Sequence, residues 1–148
     1  MKSVVAFIFL ISFNLASAKI FLNCEFAKEL GKNEAIERVY IPHWVCLAQG
    51  ESQLNTSKLV NYPNQSSSYG IFQINSKEQC GKDKKGGFCN IKCSDLLDDD
   101  IKDDIKCAKV IFDRSGFNNW KSWQNRCKST STIDKNKALP NLVNCQYK

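Results

Sequence analysis

Eight cysteines constrain this chain more than any other feature, because they follow a leader of the exported type. Lys2 precedes an apolar run from Val4 to Leu15, and Ala16-Ser17-Ala18 supplies small residues in the A-x-A pattern. A run of about a dozen residues is too short to cross a bilayer as a helix. The leader therefore reads as a signal peptide over residues 1–18, followed by a secreted chain over 19–148. In an oxidising, extracellular setting eight cysteines imply four disulfides. Zinc is the competing use of cysteine, but only Cys89 and Cys93 are closely spaced, and His43 is the only histidine. Spacing alone leaves about 105 pairings open. Cys24 and Cys46 lie early, Cys80, Cys89, Cys93 and Cys107 in the middle, Cys127 and Cys145 late. Bridges from early to late cysteines would close long loops, each worth roughly 2–4 kcal/mol.

Without the leader 130 residues remain, enough for one domain with its own core. No repeat, linker or low-complexity run divides them. The formal charge falls from +6 to +5 when Lys2 is removed. That modest excess suits an anionic partner such as a bacterial wall or membrane surface. The expectation is a monomer with no transmembrane segment and no nucleic-acid partner.

Periodicity gives an α+β reading, mostly helical. Phe26, Ala27 and Leu30 share a face of a first helix, with Asn23 as the expected cap and Gly31 as its end. Ile41 to Ala48, with Pro42 near its start, reads as a second, buried helix. After the turn-rich stretch Asn61–Ser68, the aromatic and β-branched residues of Tyr69–Asn75 predict a strand in a small antiparallel sheet. Ile101, Ile105, Ala108 and Phe112 form the stripe of a core-facing helix over Ile101–Arg114, and Gly116 follows as a stop. Trp120 and Trp123 suggest a last short helix.

Directly before the Ile101 helix stand Asp95, Asp98, Asp99 and Asp100, and Asp103 and Asp104 begin it. Acids favour a helix N-terminus by about 0.3–1 kcal/mol each. Six between Cys93 and Cys107 repel one another, and a bound cation relieves that repulsion. Oxygen-only ligands on a short loop suit Ca²⁺, although the spacing is not that of an EF-hand.

The residues at this point carry a resemblance. Lys19-Ile20-Phe21, Trp44-Val45-Cys46, Glu51-Ser52, Tyr69-Gly70-Ile71-Phe72-Gln73-Ile74-Asn75, Cys107-Ala108-Lys109 and Trp120-x-x-Trp123-x-Asn125-Arg126-Cys127 are similar to C-type lysozymes and their relative α-lactalbumin. The likeness covers essentially all of 19–148. It implies bridges Cys24–Cys145, Cys46–Cys127, Cys80–Cys93 and Cys89–Cys107. It also implies a mainly helical lobe and a small antiparallel β-lobe, with a saccharide cleft between them. The acidic stretch resembles the calcium loop of α-lactalbumin and of calcium-binding lysozymes. The resemblance makes Asp98, Asp103 and Asp104 carboxylate ligands, with backbone carbonyls from Asp95 and Asp100.

Glu51 stands where the family has its general acid, which must hold a proton near neutral pH; an apolar wall achieves this by disfavouring the ion. Trp120 matches the tryptophan of that wall. Lysozyme is the established example of this arrangement. Read alone, Glu51 would be an exposed helix-end glutamate. The family's second carboxylate falls directly before Tyr69-Gly70, where this chain has Ser68, at the family's own seventeen-residue step from Glu51. A hydroxyl without a neighbouring base is a poor nucleophile. The only histidine, His43, matches a core position rather than that base. Hydrolysis is therefore expected to be weak or absent.

Gln73, Asn75, Asp113 and Trp120 remain as sugar contacts by resemblance. Where vertebrate lysozymes carry cleft tryptophans, this chain has Lys77-Glu78-Gln79. Asn55-Thr56-Ser57 and Asn64-Gln65-Ser66 match the glycosylation sequon. Three functions follow. One is a secreted lysozyme-like protein that binds, and at most weakly hydrolyses, β-1,4-linked peptidoglycan or chitin-like oligosaccharide. The second is a non-catalytic, calcium-binding saccharide-binding or regulatory protein of the α-lactalbumin kind. The third is an antimicrobial acting through its positive surface.

Overall fold

The second helix is apolar on every side, and the other elements are arranged around it. The computed structural model describes residues 18–128 and 139–147, so the expected signal peptide lies, but for Ala18, outside the described residues. The first two helices are α1, Asn23–Gly31, and α2, Ile41–Ser52. Pro42 occupies the first turn of α2, where its missing N–H costs nothing. Ile41, Trp44, Val45, Leu47 and Ala48 are buried, as an all-round apolar helix must be. Helix α2 runs four residues beyond the expected Ala48, which makes Glu51 a helical residue of its last turn.

Helix α1 buries Phe26, Ala27 and Leu30. The expected cap at Asn23 is not formed: Leu22 is the N-cap, and Asn23 lies inside the helix. Its Oδ1 accepts a hydrogen bond from Gln49 Nε2 (2.8 Å), which ties α1 to α2 instead.

Three short strands follow, β1 Leu59–Asn61, β2 Ser67–Tyr69 and β3 Ile74–Asn75, in an antiparallel sheet of order β1-β2-β3. Ser68 faces Val60 on one side and Asn75 on the other. The single strand expected over Tyr69–Asn75 is thus a turn flanked by two strand ends. Gly70 (φ 71°) and Gln73 (φ 50°) take left-handed conformations that no strand accommodates. Gly70 is required here twice over. A Cβ on it would lie 2.1 Å from the Leu96 carbonyl oxygen and 2.7 Å from Asp104 Oδ1. Gly70→Ala is accordingly expected to destabilise the protein by more than about 2 kcal/mol, through strain and overlap together. A thermal melt indistinguishable from that of the unaltered protein would show that the turn does not need its glycine.

Helix α3, Lys102–Ser115, buries Ile105, Cys107, Ala108 and Ile111, and Gly116 (φ 61°) ends it as expected. Helix α4, Lys121–Arg126, follows with Trp120 as its N-cap. Trp44 joins these pieces. Its ring meets Phe117 at 4.7 Å, Phe112 at 5.4 Å, Phe72 at 5.7 Å and Trp120 at 5.9 Å between centroids, tilted or edge-on as aromatic quadrupoles favour.

All four implied bridges are formed. Cys24–Cys145 and Cys46–Cys127 span 121 and 81 residues and hold late segments to α1 and α2. Cys80–Cys93 and Cys89–Cys107 span 13 and 18 residues and fasten the loops between β3 and α3. The architecture is α+β: a helical lobe, a small antiparallel sheet and four disulfides.

Candidate active site

The junction between the two lobes is made by backbone carbonyls of the β2–β3 turn. Ser52 Oγ, at the end of α2, donates to the Ile71 carbonyl (2.7 Å). Trp120 Nε1, at the start of α4, donates to the Phe72 carbonyl (2.9 Å). The last turn of α2 and the first turn of α4 are therefore both fixed to the segment that carries β2.

Glu51 projects from that last turn of α2. Burial pushes its carboxyl above the ordinary glutamate range. A hydrogen bond from Ser122 Oγ to Glu51 Oε1, a second from the Ser122 backbone N–H and the charge of Lys58 oppose this without cancelling it. Lys58 Nζ also donates to the Glu51 backbone carbonyl (2.6 Å), placing a cation at the C-terminal end of α2 where the helix dipole favours one.

Ser68, on β2, is 4% exposed. Its hydroxyl accepts a hydrogen bond from Asn75 Nδ2 (3.1 Å). Among the described residues no base is a hydrogen-bond partner of this hydroxyl. His43 lies elsewhere, stacked on Phe117 (5.5 Å), with its Nδ1 accepting from Trp123 Nε1 (3.3 Å), and burial lowers its pKa. It is a packing residue, as the sequence indicates.

The residues expected to bind sugar are not equally free. Gln73 donates through Nε2 to the Lys58 and Gly70 carbonyls (3.0 and 2.9 Å), so that end of its amide holds the turn. Asn75 spends Nδ2 on Ser68, and its Oδ1 accepts from the Lys77 backbone (2.8 Å). Asn75 also lines, with Lys77, Glu78 and Gln79, a shallow pocket of about 280 Å³. Asp113 stands on an outer face of α3, paired with Lys109 one turn earlier. Trp120 is buried. A larger pocket of about 790 Å³ lies between Lys19, the end of α1 and the start of α3, and contains neither Glu51 nor Ser68.

The acidic segment runs from a short 3₁₀ turn, Cys93–Leu97, into α3. Asp98 Oδ1 accepts from the Asp100 backbone N–H (2.9 Å), and Asp103 Oδ1 from that of Asp104 (3.0 Å). Asp104 is 1% exposed, and neither of its carboxylate oxygens has a hydrogen-bond partner. Burial first, and then repulsion from Asp103, pushes its pKa well up. Asp103 is raised by burial and by Asp98. Among the described residues no three His, Cys, Asp or Glu side chains are gathered as a metal shell.

A family model of the C-type lysozymes and α-lactalbumins matches residues 19–137. The chain belongs to the C-type lysozyme/α-lactalbumin family. Lysozyme c-1 of Anopheles gambiae is 47% identical over 131 residues, covering 88% of each chain. A lysozyme of Litopenaeus vannamei, solved by crystallography, is 35% identical with a TM-score of 0.71, over 88% of this chain and 100% of its own. A calcium-binding lysozyme from equine milk superposes with a TM-score of 0.70 at 37% identity, over 86% of this chain and 98% of its own.

Within this lysozyme-family fold, one contact escapes the sequence: Ser122 on Glu51. Only the two tryptophans around it stand out in the chain, and nothing in local periodicity marks the hydroxyl between them. The one available signal is Gly50 beside the acid. A glycine inside a helix is costly unless another backbone or side chain approaches it closely.

Proposed function

We propose that this protein is secreted, binds β-1,4-linked N-acetylmuramic acid/N-acetylglucosamine polymers of bacterial peptidoglycan, and hydrolyses them weakly, with Glu51 as general acid. The observation that carries this reading is the half-buried Glu51 carboxyl at the junction of the lobes, with its pKa raised. A carboxyl in that state donates a proton to the leaving glycosidic oxygen at a pH where an exposed glutamate is ionised. The second half of a retaining mechanism requires a carboxylate about 5–5.5 Å from the acid. Ser68, at the position that matches the family's second carboxylate, offers an uncharged hydroxyl instead. Water attack on a sugar whose developing charge lacks a counter-ion is slow, and turnover is correspondingly low.

Chitin-like oligosaccharides share the N-acetylglucosamine unit and suit the same cleft. The inert, buried Ser68 hydroxyl also favours a second reading: a calcium-binding protein that holds saccharide, or regulates a partner, without cutting. In either case Asp104 gives the acidic segment the chemistry of a cation site. Two buried carboxylate oxygens without donors are costly unless they are protonated or meet a positive charge. Asp98, Asp103 and Asp104 would supply carboxylates and Asp95 and Asp100 carbonyls to Ca²⁺, which takes hard oxygen ligands. The bound ion would supply charge neutralisation there.

Two measurements test the hydrolytic reading. Clearing of bacterial walls is expected to fall as pH rises through the raised Glu51 pKa, because only the protonated form donates. Glu51→Gln is expected to lower the residual rate at least 10²-fold, the lower end of what general acid catalysis contributes. Its binding to chitin oligomers should persist. Equal clearing by Glu51→Gln overturns the acid assignment, whereas oligomer binding with no clearing by either protein favours the non-catalytic reading.

A further inference from the structure

We propose that Ser122 is a positioning residue for Glu51, fixing which carboxyl oxygen carries the transferable proton. The inference rests on the reading of Glu51 as the acid and deepens it. Ser122 Oγ donates its hydrogen to Glu51 Oε1. An oxygen engaged as acceptor in this way is not the one that holds the acidic hydrogen. The protonated Glu51 therefore carries its proton on Oε2, and the carboxyl plane is held by a contact from a different helix. Without the hydroxyl only the Ser122 backbone N–H restrains the carboxyl, which then exchanges more freely between its two protonated forms, only one of which aims at a given leaving oxygen. Proton transfer depends on such geometry before it depends on pKa.

The contact exists because of the residue preceding the acid. A Cβ on Gly50 would lie 2.9 Å from Ser122 Cβ and 3.1 Å from Ser122 Oγ. The first turn of α4 therefore approaches the last turn of α2 over the bare backbone of Gly50, and the Trp120–Phe72 hydrogen bond fixes the start of α4 in place. Glycine is unfavourable in a helix by roughly 0.5–1 kcal/mol relative to alanine. Here that cost coincides with the position that admits Ser122.

The hydroxyl has a second consequence. A donor to the ionised form favours it, so the Ser122 hydroxyl, and after it the Ser122 backbone N–H that Ser122→Ala keeps, lowers the Glu51 pKa while burial raises it, and burial is the larger effect. The charged groups around the pair include Lys58, on the Glu51 carbonyl, and Arg126 of α4, whose Cδ would be 3.5 Å from a Cβ at Gly50. Both are cations, and neither is removed by changing Ser122.

The test follows the Glu51 side-chain carboxyl by ¹³C NMR through a pH titration. It needs no turnover. Ser122→Ala is expected to titrate at higher pH than the unaltered protein, and Ser122→Thr, which keeps the hydroxyl, to superimpose on it. Gly50→Ala, which favours a helix in itself, is expected to displace Ser122 and move the titration upwards as well. In the Ser68→Asp background, where turnover is larger, Ser122→Ala is expected to lower kcat roughly five-fold with KM unchanged, the worth of one hydrogen bond. Titrations of Ser122→Ala and Gly50→Ala that both coincide with the unaltered protein overturn the proposal. So does a Ser122→Thr titration that matches Ser122→Ala. Absence of hydrolysis in every variant overturns the hydrolytic reading alone, since the titration still reports whether Ser122 acts on Glu51.

Discussion

Replacing Ser68 by aspartate is expected to raise the rate of bacterial wall clearing roughly 10²–10³-fold, the usual worth of an electrostatic stabiliser in a site of this kind. Two features of the molecule favour a gain rather than a mere change. Ser68 is held between Val60 and Asn75 in the central strand of the sheet, so a side chain at this position has a fixed direction. The Asn75 amide that now donates to the serine hydroxyl at 3.1 Å is available to a carboxylate in its place. A hydrogen bond to the charged form lowers the pKa of an aspartate here, while burial raises that of Glu51. Two carboxyl groups with separated pKa values are what the retaining reaction needs. Ser68→Asn serves as the control, since it matches the shape without the charge and is expected to stay near the original rate. Equal clearing by the unaltered protein and Ser68→Asp would mean that the hydroxyl is not what limits this site.

What the amino-acid pattern reveals here depends on whether local forces or approach between distant segments fix a residue. The stripe Ile101, Ile105, Ala108 locates α3 because burial of one helical face is a periodic, local requirement. Asp104 is on that same face, three residues after Ile101 and four before Ala108, so its burial was legible in the spacing though its company of acids draws the eye instead. The strand expected over Tyr69–Asn75 broke at Gly70 and Gln73. Its aromatic and β-branched residues are buried by a turn that packs against Leu96 and Asp104, contacts made across the chain rather than along it. Asn23 misled for a similar reason: Gln49, distant in sequence, engages its side chain in place of a cap. Of the candidate site, the flanking motifs single out Glu51 and Ser68, and what the structure adds is the raised Glu51 pKa and the burial of Ser68. Ser122 was not legible, because its effect exists only where α4 crosses Gly50.

Calcium is expected to raise the melting temperature by about 16 °C when present at roughly a thousandfold excess over its dissociation constant. A ligand that binds only the folded state stabilises it by about 4 kcal/mol under that condition. One kcal/mol corresponds to about 4 °C in a domain of this size. The physical basis is Asp104. Its two oxygens are enclosed without a donor, beside Asp103 and within reach of the charge on Asp98, at the start of a helix whose dipole alone offsets little of that burden. The side chain is 1% exposed, with Oδ1 against Gly70, where even a Cβ would not fit. A divalent cation would resolve this by giving the carboxylates a common partner, and it would hold the acidic segment against the β2–β3 turn. Asp104→Asn is therefore expected to abolish the calcium response while leaving a folded protein, because the amide removes the buried charge along with the ligand. Magnesium, which holds its water tightly and prefers a smaller octahedral shell, is expected to give a much smaller shift. A melt that calcium does not move, or one that it moves equally in Asp104→Asn, would show that the buried carboxylate is stabilised by its own proton and not by a metal.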